Sequence, residues 1–322
     1  MALLDPPVVA ADPAFRADVL RGLAQSPKAI PARWFYDDAG SALFDTITRL
    51  PEYYPTRTET GILTRWAPEL AKAIGPGRAV IEFGAGSATK TPLLLDAIDP
   101  AAYVAIDIAG DFLREACGRL QRRYPDVPVI AVVGDFTHPA ALPDAVEHHP
   151  RLGFFPGSTI GNLAPAAAVD LLRAMRATLG DTAQLLIGMD RVKPATVLEA
   201  AYDDDAGVTA EFNLNLARRI NRELGGTIPL DALRHRAVWN ANLSRIEMHL
   251  QASRAIAFEV AGARFSMAAG ETIHTENSHK YEPAGATMLL LAGGWTPIAQ
   301  FQDPGERFMV VLAEAKPAQL EP

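Results

Sequence analysis

The stretch Ala79-Val80-Ile81-Glu82-Phe83-Gly84-Ala85-Gly86-Ser87-Ala88-Thr89-Lys90 constrains the chain more than any other. Its apolar opening reads as a short buried strand. Two glycines one residue apart then force a tight turn, and Ser87 to Thr91 read as the opening of a helix. With no Cβ in the way, backbone N–H groups in such a turn can approach a ligand closely. The dinucleotide fingerprint needs a third glycine, and here Gly86 is followed by Ser87, Ala88 and Thr89. Taken alone, the glycine pair names no ligand.

Two further strands narrow the choice. Tyr103-Val104-Ala105-Ile106-Asp107 is an apolar run that ends in a carboxylate about twenty residues after the turn, a position that suits a bidentate hydrogen bond to a ribose diol. Val129-Ile130-Ala131-Val132-Val133-Gly134-Asp135-Phe136 again ends in Asp. Any one Asp after a strand is more often a turn or cap residue. Three strand ends carrying Gly-x-Gly, Asp and Asp in order reverse those odds, and a ligand belongs where such carboxyl ends converge. The acidic residue two before the first glycine completes E-x-G-x-G, which resembles motif I of the S-adenosylmethionine-dependent methyltransferases. In those proteins the carboxylate matching Asp135 faces the adenine amino group.

The chain has 322 residues, enough for two domains and a sizeable core. A net charge of −8 with scattered Lys and Arg argues against nucleic acid, whose phosphates need a basic face. The single cysteine, Cys117, falls in a helical pattern with Phe112, Leu113, Ala116 and Leu120 and reads as a core thiol. One cysteine excludes an intrachain disulfide, so a reducing, cytoplasmic compartment is the expectation. No apolar run reaches membrane-spanning length, and Met1 to Asp12 lacks the basic start of a signal peptide.

Residues 1 to about 12 are expected to fray. Asp12-Pro13 starts a helix with face Phe15, Val19, Leu20 and Leu23, ending near Ser26-Pro27. Ser41 is expected to cap a helix through Leu43, Phe44 and Ile47, and one amphipathic helix is expected from about Glu59 to Ile74. From 79 to about 190 strands and helices alternate, which implies a parallel sheet with covering helices. Its fourth strand, Leu152 to Phe155, runs into the loop Pro156-Gly157-Ser158-Thr159-Ile160-Gly161-Asn162-Leu163. After Asp190 come helices over Val197–Ala201 and Thr209–Leu224 and then alternating strands, read as an inserted α+β domain. From Glu282 a helix and strands, including Met309 to Leu312, are expected to rejoin the first sheet as an antiparallel pair. The tail from Lys316 is expected to be disordered.

Five segments occur in order: Trp34-Phe35-Tyr36-Asp37, Leu50 to Glu59, Glu82 to Gly86, Gly157 to Asn162, and Thr275-Glu276-Asn277-Ser278. Together they resemble the L-histidine Nα-methyltransferase family of ergothioneine biosynthesis, from about residue 15 to 313. The resemblance implies an α/β fold: a Rossmann-like class I methyltransferase sheet with a second α+β substrate domain. The sheet domain is drawn at 62–190 and 282–322, and the discontinuous substrate domain at 1–61 and 191–281. It implies S-adenosyl-L-methionine contacts from Gly84, Lys90, Asp107, Asp135 and Phe136. The amino-acid site carries over onto Tyr53, Asn162, Tyr202, Met248, Glu276 and Ser278. Tyr36 or Asn162 would orient the attacking nitrogen, and no residue announces itself as a strong general base. The implied partner is a small amino acid, L-histidine, bound by a monomer with neither nucleic acid nor membrane.

Bland readings stand beside these. Lys90 is also a solvated lysine in a helix's first turn, where its charge is slightly unfavourable; that misplacement favours a carboxylate partner. Met248 shares a strand face with Ile246 and Leu250 and also reads as core, and each Tyr as a half-buried aromatic. His249, His274, Glu276 and His279 suggest a metal, but strict alternation puts His274, Glu276 and Ser278 on one face and His279 on the other. No zinc spacing appears, so no metal is expected. The rival functions are methylation of another amino acid or amine, and a non-catalytic S-adenosylmethionine-binding regulator.

Overall fold

Each central strand of the sheet predicted around the glycine turn is apolar on both sides, so it needs cover on both faces. The computed structural model describes residues 12–86, 88–108 and 110–315, and so excludes the expected N-terminal fraying, the expected disordered tail and Ser87. The chain divides into two compact units. One holds Pro55–Lys193 and the segment from His279; the other holds the residues up to Tyr54 and Pro194–Ser278.

The first, the sheet unit, is built on seven strands: Ala79–Phe83, Ala102–Asp107, Val129–Val133, Arg151–Phe155, Gln184–Asp190, Thr296–Gln302 and Phe308–Glu314. Numbered along the chain and read from the Val129 edge, their order is 3-2-1-4-5-7-6. The first five are parallel. Phe308–Glu314 runs antiparallel to both of its neighbours, so the chain rejoins the sheet as the sequence implies. This is the class I methyltransferase sheet. Side chains alternate between two cores: Ile81, Val104 and Ile187 lie in one, and Val80, Tyr103 and Leu186 in the other.

The second, α+β unit pairs four strands in the order Lys28–Ala29, Thr272–His279, Arg245–Ala252, Leu233–Asn240. A hairpin of Ile256–Val260 and Ala263–Met267 stands apart. Its core joins Phe212, Leu216 and Ile220 of the helix Val208–Leu224 to Phe15, Val19 and Leu23 of the helix Pro13–Ala24. As predicted, Asp12 caps that first helix, accepting from the Ala14 N–H at 2.8 Å. Asp18 on the same helix is 5% exposed and gathers Trp34 Nε1, Arg33 and Arg21.

Three local expectations change. The second helix is Asp38–Ile47, and its cap is Asp37, which accepts from the Gly40 N–H at 2.8 Å. Ser41 lies inside it, because an earlier Asp with a free acceptor outcompetes a serine one turn on. The single helix expected over 59–74 is two, Tyr54–Arg65 and Ala67–Ile74, broken at Trp66, because Pro68 has no N–H to continue the ladder and its ring excludes the carbonyl four residues back. The helix after the glycine turn begins only at Thr91 and is short, Thr91–Leu95.

Glu82, the acidic residue before the glycines, points into the protein rather than at a ligand. It is 2% exposed and accepts from Thr91 Oγ1 at 2.5 Å and Tyr103 OH at 2.7 Å. It thereby ties the strand to its neighbour and to the start of the helix. Burial pushes its pKa up to about 7, with Thr91, Tyr103 and Lys90 opposing the rise and Glu59 adding to it. An acid whose folded pKa lies above its ordinary 4.5 loses stability for the fold as it ionises. Stability should therefore fall as pH climbs from about 4.5 to 7, then level off. Glu82→Gln should gain on the wild type by up to roughly 3 kcal/mol between pH 5 and 8. Urea unfolding at both pH values measures this; a difference that does not change with pH would refute it.

Candidate functional site

In the sheet unit the glycine turn is held in left-handed backbone, with φ +68° at Gly84 and +49° at Gly86. A Cβ on Gly84 would stand 3.2 Å from the Phe136 ring, so a side chain there would press on that ring as well as strain the left-handed backbone. The Gly86 N–H donates to Asp107 Oδ2 at 3.0 Å. The Asp107 carboxylate therefore lies at the glycine turn, as the strand-end argument requires. Phe136 packs edge-on against Phe155, 6.0 Å between centroids. Asp135 is exposed and caps its own turn, accepting from the Thr137 N–H and hydroxyl at 2.9 and 2.6 Å. Beside these carboxylates, Ile108 and Val133 are 58% and 50% exposed, an apolar surface at two adjacent strand ends that the sequence reading passed over. Carboxylates, an open glycine turn and exposed aliphatic side chains together fit a nucleoside.

Lys90 finds its carboxylate inside the protein. It pairs with Glu59, which is 1% exposed and also accepts from the Gly157 N–H with both oxygens, at 3.0 and 2.9 Å. Glu59 sits where a Cβ on Gly188 would be, 1.9 Å from its Oε1. The loop that follows carries Asn162 in a 3-10 turn, Thr159–Asn162, entered through left-handed Gly157 and Ser158. Ser158 Oγ accepts from the Asp190 N–H at 2.9 Å, and Gly161 O accepts from His279 Nδ1 at 2.8 Å. Below it, Asp190 is fully buried between Lys193 at 2.7 Å and Lys280 at 2.8 Å. Burial alone would raise that carboxyl; the two ammonium groups hold it below the usual range.

The α+β unit gathers the other predicted residues. Tyr36 meets Phe44 and Phe212 edge-on at 5.7 and 5.8 Å, Phe44 meets Tyr53 at 6.2 Å, and Tyr53 meets Tyr202 at 6.1 Å. Tyr202 OH and Ser278 Oγ share a hydrogen bond of 2.6 Å. Although 42% of Tyr36's surface is exposed, burial around its hydroxyl group and then the Glu276, Tyr53 and Tyr202 groups hold its pKa well above the ordinary range. Tyr36 therefore keeps its proton at neutral pH. Met248 is 1% exposed and packs in this unit's core with Ile246 and Leu250.

What orders this group is a network the sequence did not announce. Asn213, fully buried, gives Nδ2 to His235 Nδ1 at 2.8 Å and to His249 O at 3.0 Å, and its Oδ1 accepts from Thr275 Oγ1 at 2.8 Å. His235 Nε2 in turn donates to Tyr202 O at 2.8 Å. Accepting at Nδ1 and donating at Nε2 fixes the neutral tautomer, and burial lowers the ring's pKa further.

The four groups weighed as metal ligands separate. His279 is bonded to Gly161, and Glu276 acts on Tyr36. His249 and His274 stack 4.7 Å apart beside Glu247. His274 and Glu276 have different neighbours, so the four do not form one set. Among the described residues no helix is long and apolar enough to cross a membrane.

A family model described as a histidine-specific, S-adenosylmethionine-dependent methyltransferase matches residues 15–315. The histidine N-alpha-methyltransferase of Mycolicibacterium smegmatis is 42% identical over 307 residues, 93% of this chain and 94% of its own. That of Mycobacterium tuberculosis is 40% identical over the same shares of both chains. Ergothioneine biosynthesis protein 1 of Neurospora crassa is 29% identical over 90% of this chain, which spans 34% of that longer protein. Matched from the first helix to the last strand, the chain belongs to the histidine-specific, S-adenosylmethionine-dependent methyltransferases.

Proposed function

We propose that the protein transfers methyl groups from S-adenosylmethionine to the α-amino nitrogen of L-histidine, three times in succession, giving the betaine hercynine of ergothioneine biosynthesis. The observation that carries this reading is the convergence of Tyr36, Tyr53, Tyr202, Glu276 and Ser278 in one unit. These residues lie far apart in the chain, and together they offer phenols, a hydroxyl and one carboxylate to a small polar ligand.

S-adenosylmethionine supplies an electrophilic methyl group on a sulfonium. In the sheet unit, Asp107 is assigned the ribose diol, Asp135 the adenine amino group, and Gly84 and Phe136 the close approach beside them. Lys90, already neutralised by Glu59, is assigned the cofactor's carboxylate end. On the substrate side, Tyr53, Tyr202 and Asn162 hold the amino-acid carboxylate with neutral donors, adding no cation near a sulfonium. Glu276 accepts the imidazole N–H, Ser278 meets the other ring nitrogen, and Met248 forms the wall behind the ring. Tyr36 or Asn162 orients the nitrogen lone pair. The chain's contribution is chiefly proximity and orientation of a neutral amine.

Incubation with S-adenosylmethionine and each of the twenty amino acids, read by mass spectrometry, should yield trimethylated histidine. Products from another amino acid, or none, would overturn the reading. Asp107→Ala should weaken cofactor binding about tenfold or more, because two diol donors lose their acceptor; unchanged affinity removes Asp107 from the site. Glu276→Ala should lose at least about tenfold in kcat/KM for histidine, since a site built for a polar partner discriminates strongly. Together with a smaller residue at Met248 it should gain on tryptophan and phenylalanine, and a variant keeping its full preference for histidine sinks the assignment. The rate should rise with pH as the substrate amine deprotonates. Because Tyr36 titrates above 10, no inflection from it should appear below that pH. Tyr36→Phe should lower the profile without moving it, and a shifted profile would make Tyr36 a titrating base.

A further inference from the structure

His249 and His274 stand on adjacent strands of the α+β unit's sheet, Arg245–Ala252 and Thr272–His279. Glu247 is two residues before His249, so alternation sets both on the face opposite buried Ile246, Met248 and Leu250. Glu247 Oε2 lies 3.2 Å from His249 Nε2, and one ligand atom from each of the three residues lies within 4.8 Å of the others. Arg245 Nε and Asn240 Nδ2 take Glu247 Oε1 at 2.8 and 2.9 Å, which leaves Oε2 turned to the histidines. His274 Nε2 bonds the Glu276 carbonyl at 3.0 Å, so that nitrogen carries the hydrogen and Nδ1 keeps the lone pair. A backbone carbonyl on the far nitrogen is how metal-binding histidines are commonly oriented. His249 Nδ1 is buried with no hydrogen-bond partner, a state that calls for an explanation.

We propose that Glu247, His249 and His274 bind a divalent transition-metal ion of the zinc type. Two imidazoles and one carboxylate match the borderline ligand preference of such an ion and not that of calcium or magnesium. Glu247 and His249 line a groove of about 430 Å³ together with Arg236, Trp239, Asn242 and Thr272, which gives the ion an entry path and water a place as a further ligand. Ligand atoms in a tetrahedral site are about 3.4 Å apart, so the three side chains must draw in by on the order of 1 Å. Arg245 offsets part of the Glu247 charge and Arg236 lines the groove, which makes the site weaker than a dedicated structural one. The inference stands independently of the methyl-transfer reading, because none of the three side chains is assigned to cofactor or substrate. Glu247 is the ligand that weighing His249 with His274, Glu276 and His279 had left out.

Cobalt(II) is the probe, added to untagged full-length protein freed of metal. One ion per chain should bind saturably, with visible absorption that zinc(II) abolishes. His249→Gln, His274→Gln and Glu247→Gln should each weaken binding at least about tenfold. Replacing His148 and His149, an adjacent exposed pair, with Ala should change nothing. In the wild type, sub-stoichiometric cobalt(II) should broaden the ring C–H signals of His249 and His274 before those of the other histidines, a readout that needs no variant to fold. Absence of saturable binding, loss of it in the His148/His149 variant, or broadening confined to other histidines overturns the proposal.

Discussion

Asn213 has no exposed surface, and every polar atom of its amide must find a partner inside the protein. It does so by reaching three strands from one helix: His235 on Leu233–Asn240, the His249 carbonyl on Arg245–Ala252, and Thr275 on Thr272–His279. The single Thr275 hydroxyl hydrogen is shared between Asn213 Oδ1 and Met248 O, 3.0 Å away, so the last strand is fixed against its neighbour just before Glu276 and Ser278. Through His235 the same amide reaches the carbonyl of Tyr202. An apolar residue of similar shape could fill the space. It could not set the register of Glu276 and Ser278 against Tyr202, and it would leave buried His235 Nδ1 without its donor, at about 1–3 kcal/mol.

Glu59 has the corresponding position in the sheet unit. A carboxylate with 1% of its surface exposed needs compensation, and it receives a lysine charge and two bonds from one backbone N–H. Those partners are Lys90, beside the glycine turn, and Gly157, at the head of the loop that carries Asn162. One buried acid therefore fixes two pieces of backbone that the proposed chemistry uses for different ligands. Gly188 is the condition for it, since any side chain there would occupy the space of the carboxylate.

Periodicity and strand-end chemistry were enough to read the sheet, because both are local signals: five apolar runs, a glycine turn, and Asp at two strand ends. The final antiparallel pair and the strands of 237–267 were legible for the same reason, although the first of these begins earlier, at Leu233. What stayed hidden depended on partners distant in sequence. Glu82 looked like part of a ligand motif, yet its partners Thr91 and Tyr103 make it a buried tie between elements. Lys90 looked like a charge in need of a ligand because Glu59 lies 31 residues earlier and carries no mark of burial. The alternation read along Thr272–His279 holds for burial through Glu276 and breaks at Asn277, which is half-buried, while Ser278 and His279 are both buried. The aromatic residues Phe44 and Phe212 were not singled out as site-forming because the rings they touch come from other parts of the chain.

Repeated methylation of one nitrogen, as proposed for this chain, imposes an electrostatic demand on the α+β unit. Each transfer takes the sulfonium's positive charge onto the product nitrogen, which ends with a fixed charge and no N–H to donate. A site that held the amine mainly by accepting its hydrogens would lose its grip as they disappeared. Rings and phenols do not have this weakness: a face or an oxygen lone pair favours a cation whether or not it carries hydrogen. Tyr36 supplies such a group, and Glu276 supplies the one negative charge among the proposed substrate contacts. The same carboxylate raises the cost of ionising Tyr36 and so helps keep that phenol neutral through all three rounds. Neutral donors for the carboxylate of the substrate, an aromatic group for its nitrogen and a single acid for its imidazole then divide one small molecule among partners that do not compete. That division explains why a site assembled from such distant parts of the chain needs a fully buried amide to hold its register.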